Sequence, residues 1–414
     1  MLVVDYYKQL DIPRSVWKLQ IGAVLNAFGT GSTVPFLMLY LHNGRGFDLA
    51  LSGVLVGTIA LAGLASAPFV GSVIDRVGPK RSLVAALAVL VVAFLGFIVV
   101  REPWQAALCA VLAGLGNAWL WPSNGLMMAR MLGPERRHMA FAIERSAANL
   151  GLGLGAFLGG VLIATLGYLW LFVVDAASFA LYLVLVLRFG REPSPEPMAT
   201  SPGEPASKTT LLSLLRSRPL RRTAVLKFAF VLAGFGPFEV LAVFARDQVG
   251  VNTALVGVIF LANTVVIVAC QIPLAGMLPG RSRMRVLALV ATLWASAWVV
   301  AGVTDLTLTG VGAGVVLVIV AALFGLGESL QVPAQDPLFI ELAPPDAHGR
   351  SMALSAITFQ AAMALGTAGA GWLLSRAPDA LWPVAAVLAL ASGGLALLSE
   401  AALPSSARTT KSGS

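Results

Sequence analysis

Gly71-Ser-Val-Ile-Asp75-Arg76-Val-Gly78-Pro79-Lys80-Arg81 is a short polar stretch set between two long apolar ones. Leu49 to Ile74 carries no charged residue, and Ser82 to Val100 is almost wholly Val, Leu, Ala and Phe. Each run supplies the roughly 20 residues that a helix needs to cross about 30 Å of hydrocarbon. The polar stretch therefore reads as a tight aqueous turn between two membrane spans. Gly71 removes side-chain bulk where another helix presses on the span end. Asp75 caps a helix or accepts a salt bridge, and Gly78-Pro79 turns the backbone. Arg76, Lys80 and Arg81 belong on the cytoplasmic side, where loop cations are retained.

Composition extends that reading to the whole chain. Hydrophobic residues make up 58% and charged residues 12%, against about 25% charged in an ordinary soluble domain. With a mean hydropathy of +0.85, the chain is a polytopic membrane protein. The net charge of +8 does not point to nucleic acid, because the cations sit in short connections between apolar runs. Cys109 and Cys270 fall inside apolar runs, and His42, His138 and His348 are dispersed. Neither a disulfide framework nor a metal site is expected. Met1 to Lys18 has no apolar core of the kind a cleaved signal peptide needs.

Twelve spans are expected, near 16–41, 49–74, 82–101, 104–130, 138–166, 167–188, 220–245, 253–278, 284–304, 309–338, 348–375 and 380–402. Residues 189–219, rich in Pro, Ser, Glu and Arg, read as a solvated linker between two six-helix halves, 1–188 and 220–402, with 403–414 as a tail. Counting every cation from Arg188 through Lys227 with that linker, the end that carries the termini holds 23 of the 28 Lys and Arg. The other end holds Arg45, Arg101, Arg246 and Arg376, while Arg145 lies within a span. Both termini are thus expected in the cytoplasm. The halves also repeat. Gly114-Leu-Gly-Asn117-Ala-Trp-Leu-Trp121-Pro122-Ser-Asn124 aligns with Gly325-Leu-Gly-Glu328-Ser-Leu-Gln331-Val-Pro333-Ala-Gln335, and Asn26-Ala-Phe28-Gly29 resembles Ala233-Gly-Phe235-Gly236. Such repeats place a substrate site between the halves, near mid-membrane.

The pattern G-x-x-x-D-R-x-G-x-K-R between a second and a third span resembles the signature loop of the major facilitator superfamily, and the likeness runs from about Trp17 to Leu398. It implies an all-α fold of two pseudo-symmetric six-helix bundles, with spans 1, 4, 7 and 10 lining a central cavity. Polar stripes pick out the same spans. Asn117, Trp121 and Asn124 share a face of span 4, and Glu328, Gln331 and Gln335 share one of span 10. Asn26, Thr30 and Thr33 form a stripe in span 1, and Phe228, Phe235, Glu239 and Arg246 one in span 7. These read as the substrate and proton pathway. For Asn26, Asn117 and Gln331, interhelical hydrogen bonding is an equal alternative. A carboxylate at mid-span costs about 2.5–3.5 kcal/mol, so Glu328 first, then Glu239, is expected to carry a proton.

Other charged positions are assigned structural or gating parts. Glu144 and Arg145 lie inside span 5, where Arg145 meets an anionic group, pairs with a neighbouring helix or snorkels. Trp119 is expected to pack, and Trp121 to stack on substrate. Asp75 is expected to pair with Arg130 at the end of span 4, as the family resemblance implies. In the second half Gly280 stands in place of Asp75 and Glu341 in place of Arg130, so Arg281 or Arg283 is expected to meet Glu341. Together these form two latches closing the cytoplasmic side.

Span 5 holds Gly151, Gly155, Gly159 and Gly160 in a run similar to a glycine motif of proton-coupled exporters, with Ala156 and Ala142 replacing a Pro and a Gly. Asp175-Ala-Ala-Ser-Phe resembles the sixth span of the macrolide-efflux branch of drug:proton antiporters, and a structural role is assigned to Asp175. The Arg that many such antiporters carry in mid-span 4 is Ala110 here, so proton coupling has to use other residues. The expectation is a monomeric exporter of amphipathic small molecules in a bacterial cytoplasmic (inner) membrane, driven by the proton gradient without ATP or cofactor. Alternatives are an uptake symporter for a polar metabolite, a lipid or lysolipid flippase, or a polytopic receptor or enzyme. Against an enzyme stands the lack of a nucleophile–base pair or metal cluster in the sequence, and against ATP the lack of a phosphate-binding loop.

Overall fold

The structure, a computed structural model, describes residues 14–132, 137–190, 211–344 and 347–409. Within these stretches the side chains of 137–147, which include Glu144 and Arg145, and those of many scattered residues, among them Asp75 and Arg130, lie outside the description. Twelve helices of 20 residues or more run through the described residues. In the first half they are α1 Arg14–Thr33, α2 Leu49–Val77, α3 Pro79–Val99, α4 Pro103–Leu132, α5 Arg137–Leu166 and α6 Leu169–Phe189. In the second they are α7 Arg218–Glu239, α8 Thr253–Met277, α9 Arg283–Thr307, α10 Gly310–Gln335, α11 His348–Arg376 and α12 Pro378–Ser399. Eleven are long and apolar enough to cross a membrane, and α5 adds the apolar segment Gly151–Leu166. The protein is an integral, multi-pass membrane protein.

Local chemistry sets the helix ends. The Asp48 carboxylate accepts from the Ala50 and Leu51 amides at 2.9 and 3.3 Å, capping α2. At its other end α2 continues through Gly71 and Asp75 to Val77, and α3 starts at Pro79. The stretch read as a loop is therefore helical except at Gly78, whose φ of +93° only glycine adopts at little cost. Lys80 and Arg81 consequently occupy the first turn of α3 rather than a loop, and Arg76 is exposed in the last turn of α2.

The internal repeat is visible in the backbone. Past Pro35, α1 is prolonged to Gly44 through a wide turn in which Arg45 N bonds Tyr40 O and Phe47 N bonds Leu41 O. Past Pro237, α7 ends the same way, with Val249 N on Phe244 O and Val251 N on Ala245 O. Pro122 in α4 and Pro333 in α10 both sit inside continuing helices, as the sequence alignment of the halves requires.

The described end of the linker and the described part of the tail both pack against the C-terminal half. Leu214, in the short helix Leu211–Arg216 at the end of the linker, is buried in a cluster with Leu220, Ala224, Phe339 and Leu354. The tail packs too: Leu403 and Ala407 are buried, and Thr409 pairs with Ser282. Apolar spacing explains both, because each contributes a buried face too short to stand out in a polar segment.

Candidate functional site

The halves meet along two helix pairs, α2 with α11 and α5 with α8. Small residues make the approach possible. A β-carbon added at Gly257 would lie 2.8 Å from the carbonyl oxygens of Ala156 and Phe157. Close contacts of α2 with α11 run from Gly53, beside Gly371, to Gly63, beside the Gln360 amide. All of these lie in the part of the membrane away from the chain termini. A polar rim joins the halves at that same end, where Asn43 Nδ2 donates to Asp247 Oδ1 at 2.6 Å. Toward the end that bears the termini, the same helix faces carry exposed residues: Ala67 on α2, Ala353 and Ala356 on α11, and Val268 on α8. The halves thus enclose a crevice, shut at the Asn43–Asp247 rim and open at the cation-rich end.

The residues expected to line the pathway separate into two groups. Asn117, Thr30, Glu239 and Glu328 are half-buried, and Trp121 is 45% exposed. Asn26 is buried, and its Oδ1 has no hydrogen-bond partner among the described residues. Three amides are turned into their own halves. Asn124 is buried and accepts from Tyr182 of α6 at 2.6 Å. Gln331 and Gln335 are buried and bonded to each other at 2.5 Å. The Asn124 bond joins two helices, whereas Gln331 and Gln335 bond along one helix, and Gln335 Nε2 has no partner among the described residues. Phe235 is half-buried and packs on the core, edge-on to Trp294, Phe324 and Phe359 at centroid distances of 5.4–5.9 Å.

The structural assignments for α5 and α6 have clear geometry. Gly151, Gly155 and Gly159 face α1, and Gly160 faces α8. Asp175 is fully buried beside Gly29 and Ser178, with the Ser178 hydroxyl donating to its backbone oxygen at 2.7 Å.

Of the two arginines considered for Glu341, it is Arg283 that meets it, with Nη2 on Oε1 at 2.6 Å. Arg281 is exposed and bonds Met277 O. Arg283 itself is buried and also donates to Ala334 O and Thr409 O. This pair lies wholly inside the C-terminal half and is formed while the crevice is open at its own end. It fastens α9, the end of α10 and the tail to one another. The matching Asp75 and Arg130 side chains lie outside the described residues.

One charge pair was missed. Lys227, counted above with the linker cations, is buried in α7, and its Nζ donates to Asp336 Oδ1 at 2.7 Å and Ser355 Oγ at 2.8 Å. The rings of Phe339 and Phe359 stand 5.5 and 5.9 Å away. Lys227 is nearly enclosed, whereas the Asp336 side chain is 38% exposed. Phe359 touches both this pair and Phe235, so the charges sit at the foot of the aromatic core. The available signal was a lysine alone in the apolar run between Arg222 and Arg246.

Comparison with known proteins accords with this architecture. YhjO of Bacillus subtilis (strain 168), described as an uncharacterized MFS-type transporter, is 22% identical over 91% of this chain and 90% of its own length. YqjV of the same organism, described likewise, is 22% identical over 64% of this chain and 65% of its own. The multidrug resistance protein MdtG of Salmonella newport (strain SL254) is 29% identical over 42% of this chain, and the match spans 44% of MdtG. Among solved structures, a POT family transporter in complex with a thioalcohol-conjugated peptide superposes with a TM-score of 0.79 at 15% identity, covering 94% of this chain and 96% of that one. A point mutant of the nucleoside transporter NupG gives 0.78 at 12% identity, over 93% and 99%. These likenesses establish the fold. The Major Facilitator Superfamily model matches residues 19–320, and with two six-helix halves about a central crevice the chain belongs to that superfamily of membrane transporters.

Proposed function

We propose that the protein exports amphipathic small molecules across a bacterial cytoplasmic (inner) membrane by proton antiport, acting as a monomer by alternating access. With the cation-rich end in the cytoplasm, the crevice is cytoplasm-open and takes substrate from the cell or the inner leaflet. The proton gradient supplies the free energy, and neither ATP nor a cofactor takes part. The carrying observation is the sorting of side chains along the crevice. Glu328, Glu239 and Trp121 stay partly exposed, whereas Asn124, Gln331 and Gln335 are buried within the halves. A passage with few amides and two carboxylates suits an apolar, protonatable or cationic solute better than a polyhydroxylated one. The multidrug resistance name of MdtG supports the same solute class.

In this reading Glu328 exchanges its proton for substrate, because a carboxylate at mid-span is costly unless it faces a cavity or a partner. The test is transport in everted vesicles with an imposed ΔpH. Wild type should release protons from the lumen on addition of substrate. Glu328→Gln should still bind substrate and show no substrate-induced proton movement. Retention of full proton-driven transport by that variant would remove Glu328 from the role.

A further inference from the structure

Two depressions on the wall of the N-terminal half share one residue, Ala85. The larger, about 480 Å³, is the cleft between α2 and α3, floored by α4. Ala65 and Phe69 of α2, Ala85 and Val89 of α3, and Leu115 and Trp119 of α4 line it. Its one hydroxyl, Ser66, is already donated to Gly63 O at 2.9 Å. The cleft faces outward: Val54, Leu61 and Phe69, on the same flank of α2, are 50–63% exposed, on the side away from the contacts with α11. That flank meets lipid. The smaller depression, about 330 Å³, lies on the other side of α3, between Lys80, Arg81, Val84 and Leu187 of α6. Lys80 Nζ leans toward Leu187 O at 3.5 Å, the outer limit of a hydrogen bond.

The depths of these features match a phospholipid. The 21 residues of α3 rise about 31 Å, the thickness of the hydrocarbon. Cations in the first turn therefore stand at the phosphate level. Ala85 to Val89 lie about 7–14 Å deeper, along the upper part of an acyl chain. An apolar cleft left empty in a bilayer forfeits its dispersion contacts, and chains are what the bilayer offers to fill it. The turn between α2 and α3 carries Arg76, Lys80 and Arg81 against the single acid Asp75, so the headgroup it favours is anionic.

We propose that the α2–α3 cleft binds one anionic glycerophospholipid, its phosphate on Lys80 and Arg81 and one acyl chain in the cleft against Trp119. This site is separate from the crevice and does not depend on which solute is carried.

Trp119 provides the readout. The purified protein in phosphatidylcholine vesicles is titrated with phosphatidylglycerol brominated on its acyl chains, and in parallel with brominated phosphatidylcholine. The Trp119 contribution is isolated by difference from Trp119→Phe. Phosphatidylglycerol should half-quench Trp119 at a mole fraction at least about fivefold lower than phosphatidylcholine, since each surface cation contributes about that factor. Lys80→Gln with Arg81→Gln should bring the two curves together, while Lys80→Arg should keep them apart. Ala85→Phe, which fills the cleft from its exposed side and leaves both cations, should protect Trp119 from both lipids. Equal quenching of wild type by the two lipids would mean an ordinary lipid annulus and would overturn the proposal. So would a phosphatidylglycerol preference that survives loss of both cations, or no quenching of Trp119 at all.

Discussion

Lys227 Nζ lies 2.7 Å from Asp336 Oδ1 with the lysine almost wholly enclosed, so α7 and α10 are joined by an ion pair inside the membrane domain. Burying a charge costs several kcal/mol before any attraction is counted, and removing the partner of an enclosed charge costs about 3–5 kcal/mol because that charge is left alone. Asp336→Leu, which orphans the enclosed lysine, should therefore destabilise the protein by an amount of that order, and Lys227→Met by less, because Asp336 is 38% exposed and stays solvated. Lys227→Met combined with Asp336→Leu should recover most of the loss, since the cost belongs to the orphaned charge. Thermal unfolding in detergent of the two singles and the double checks this. If the double variant unfolds as early as the worse single, the pair is not what holds α7 to α10.

Arg283 gathers three acceptors that lie far apart in sequence: Glu341 Oε1, Ala334 O and Thr409 O. Replacing it by Gln removes charge and reach together, so the tail loses one anchor while Ser282 still bonds Glu400 at 2.8 Å. The expected outcome is a tail cleaved several-fold faster by protease near Arg408, with little change in the helical content. Glu341→Gln should do less, because the two carbonyl acceptors remain. Limited proteolysis with mass detection of the released peptide measures both.

The fold was readable because membrane spans announce themselves by length and polarity alone. The halves were readable because Gly114 to Asn124 and Gly325 to Gln335 repeat in register. What was not readable is which way a buried polar group points. Asn117 and Asn124 share a helical face on paper, yet Asn124 is bonded to Tyr182 while Asn117 stays half-exposed. Seven residues along a helix that contains Pro122 is enough to change the neighbour from crevice to α6. Lys227 was hidden for the opposite reason. A cation a few residues inside a span end looks like a loop cation, and its partners Asp336 and Ser355 lie 109 and 128 positions away. The Arg283–Glu341 contact followed from analogy between the halves. Which of Arg281 and Arg283 makes it follows only from the geometry.

The seam at Gly257 makes a sharper test of alternating access. A Leu there drives a branched side chain toward the carbonyls of Ala156 and Phe157, which as backbone atoms do not yield locally. The α5–α8 contact must open, favouring the state with the Asn43–Asp247 end unsealed. In a Cys109→Ser, Cys270→Ser background, a cysteine at Ala353 should label more slowly from the cation-rich side in Gly257→Leu than in the parent. Transport should fall by about tenfold or more, and Gly257→Ala should be intermediate. An unchanged labelling rate would mean that the seam is not a moving contact.

The rim pair Asn43–Asp247 sets the scale for the weakest element of that closure. Its hydrogen bond is well formed at 2.6 Å, but it is exposed, and His42 Nε2 stands at 4.0 Å from the other carboxylate oxygen. Exposed polar and ionic pairs contribute about 0–1 kcal/mol, so Asp247→Asn or Asp247→Ala should move the balance between the two states by no more than about fivefold. The Ala353 cysteine should label at a rate close to that of the parent, well short of the change caused by Gly257→Leu. Raising the salt concentration should shrink even that difference, because the charges at the rim lie in water and are screened within about 10 Å at 0.1 M. A rim variant as severe as the glycine variant would place the closing energy in Asp247 and its partners, and helix packing at the seam would then be secondary.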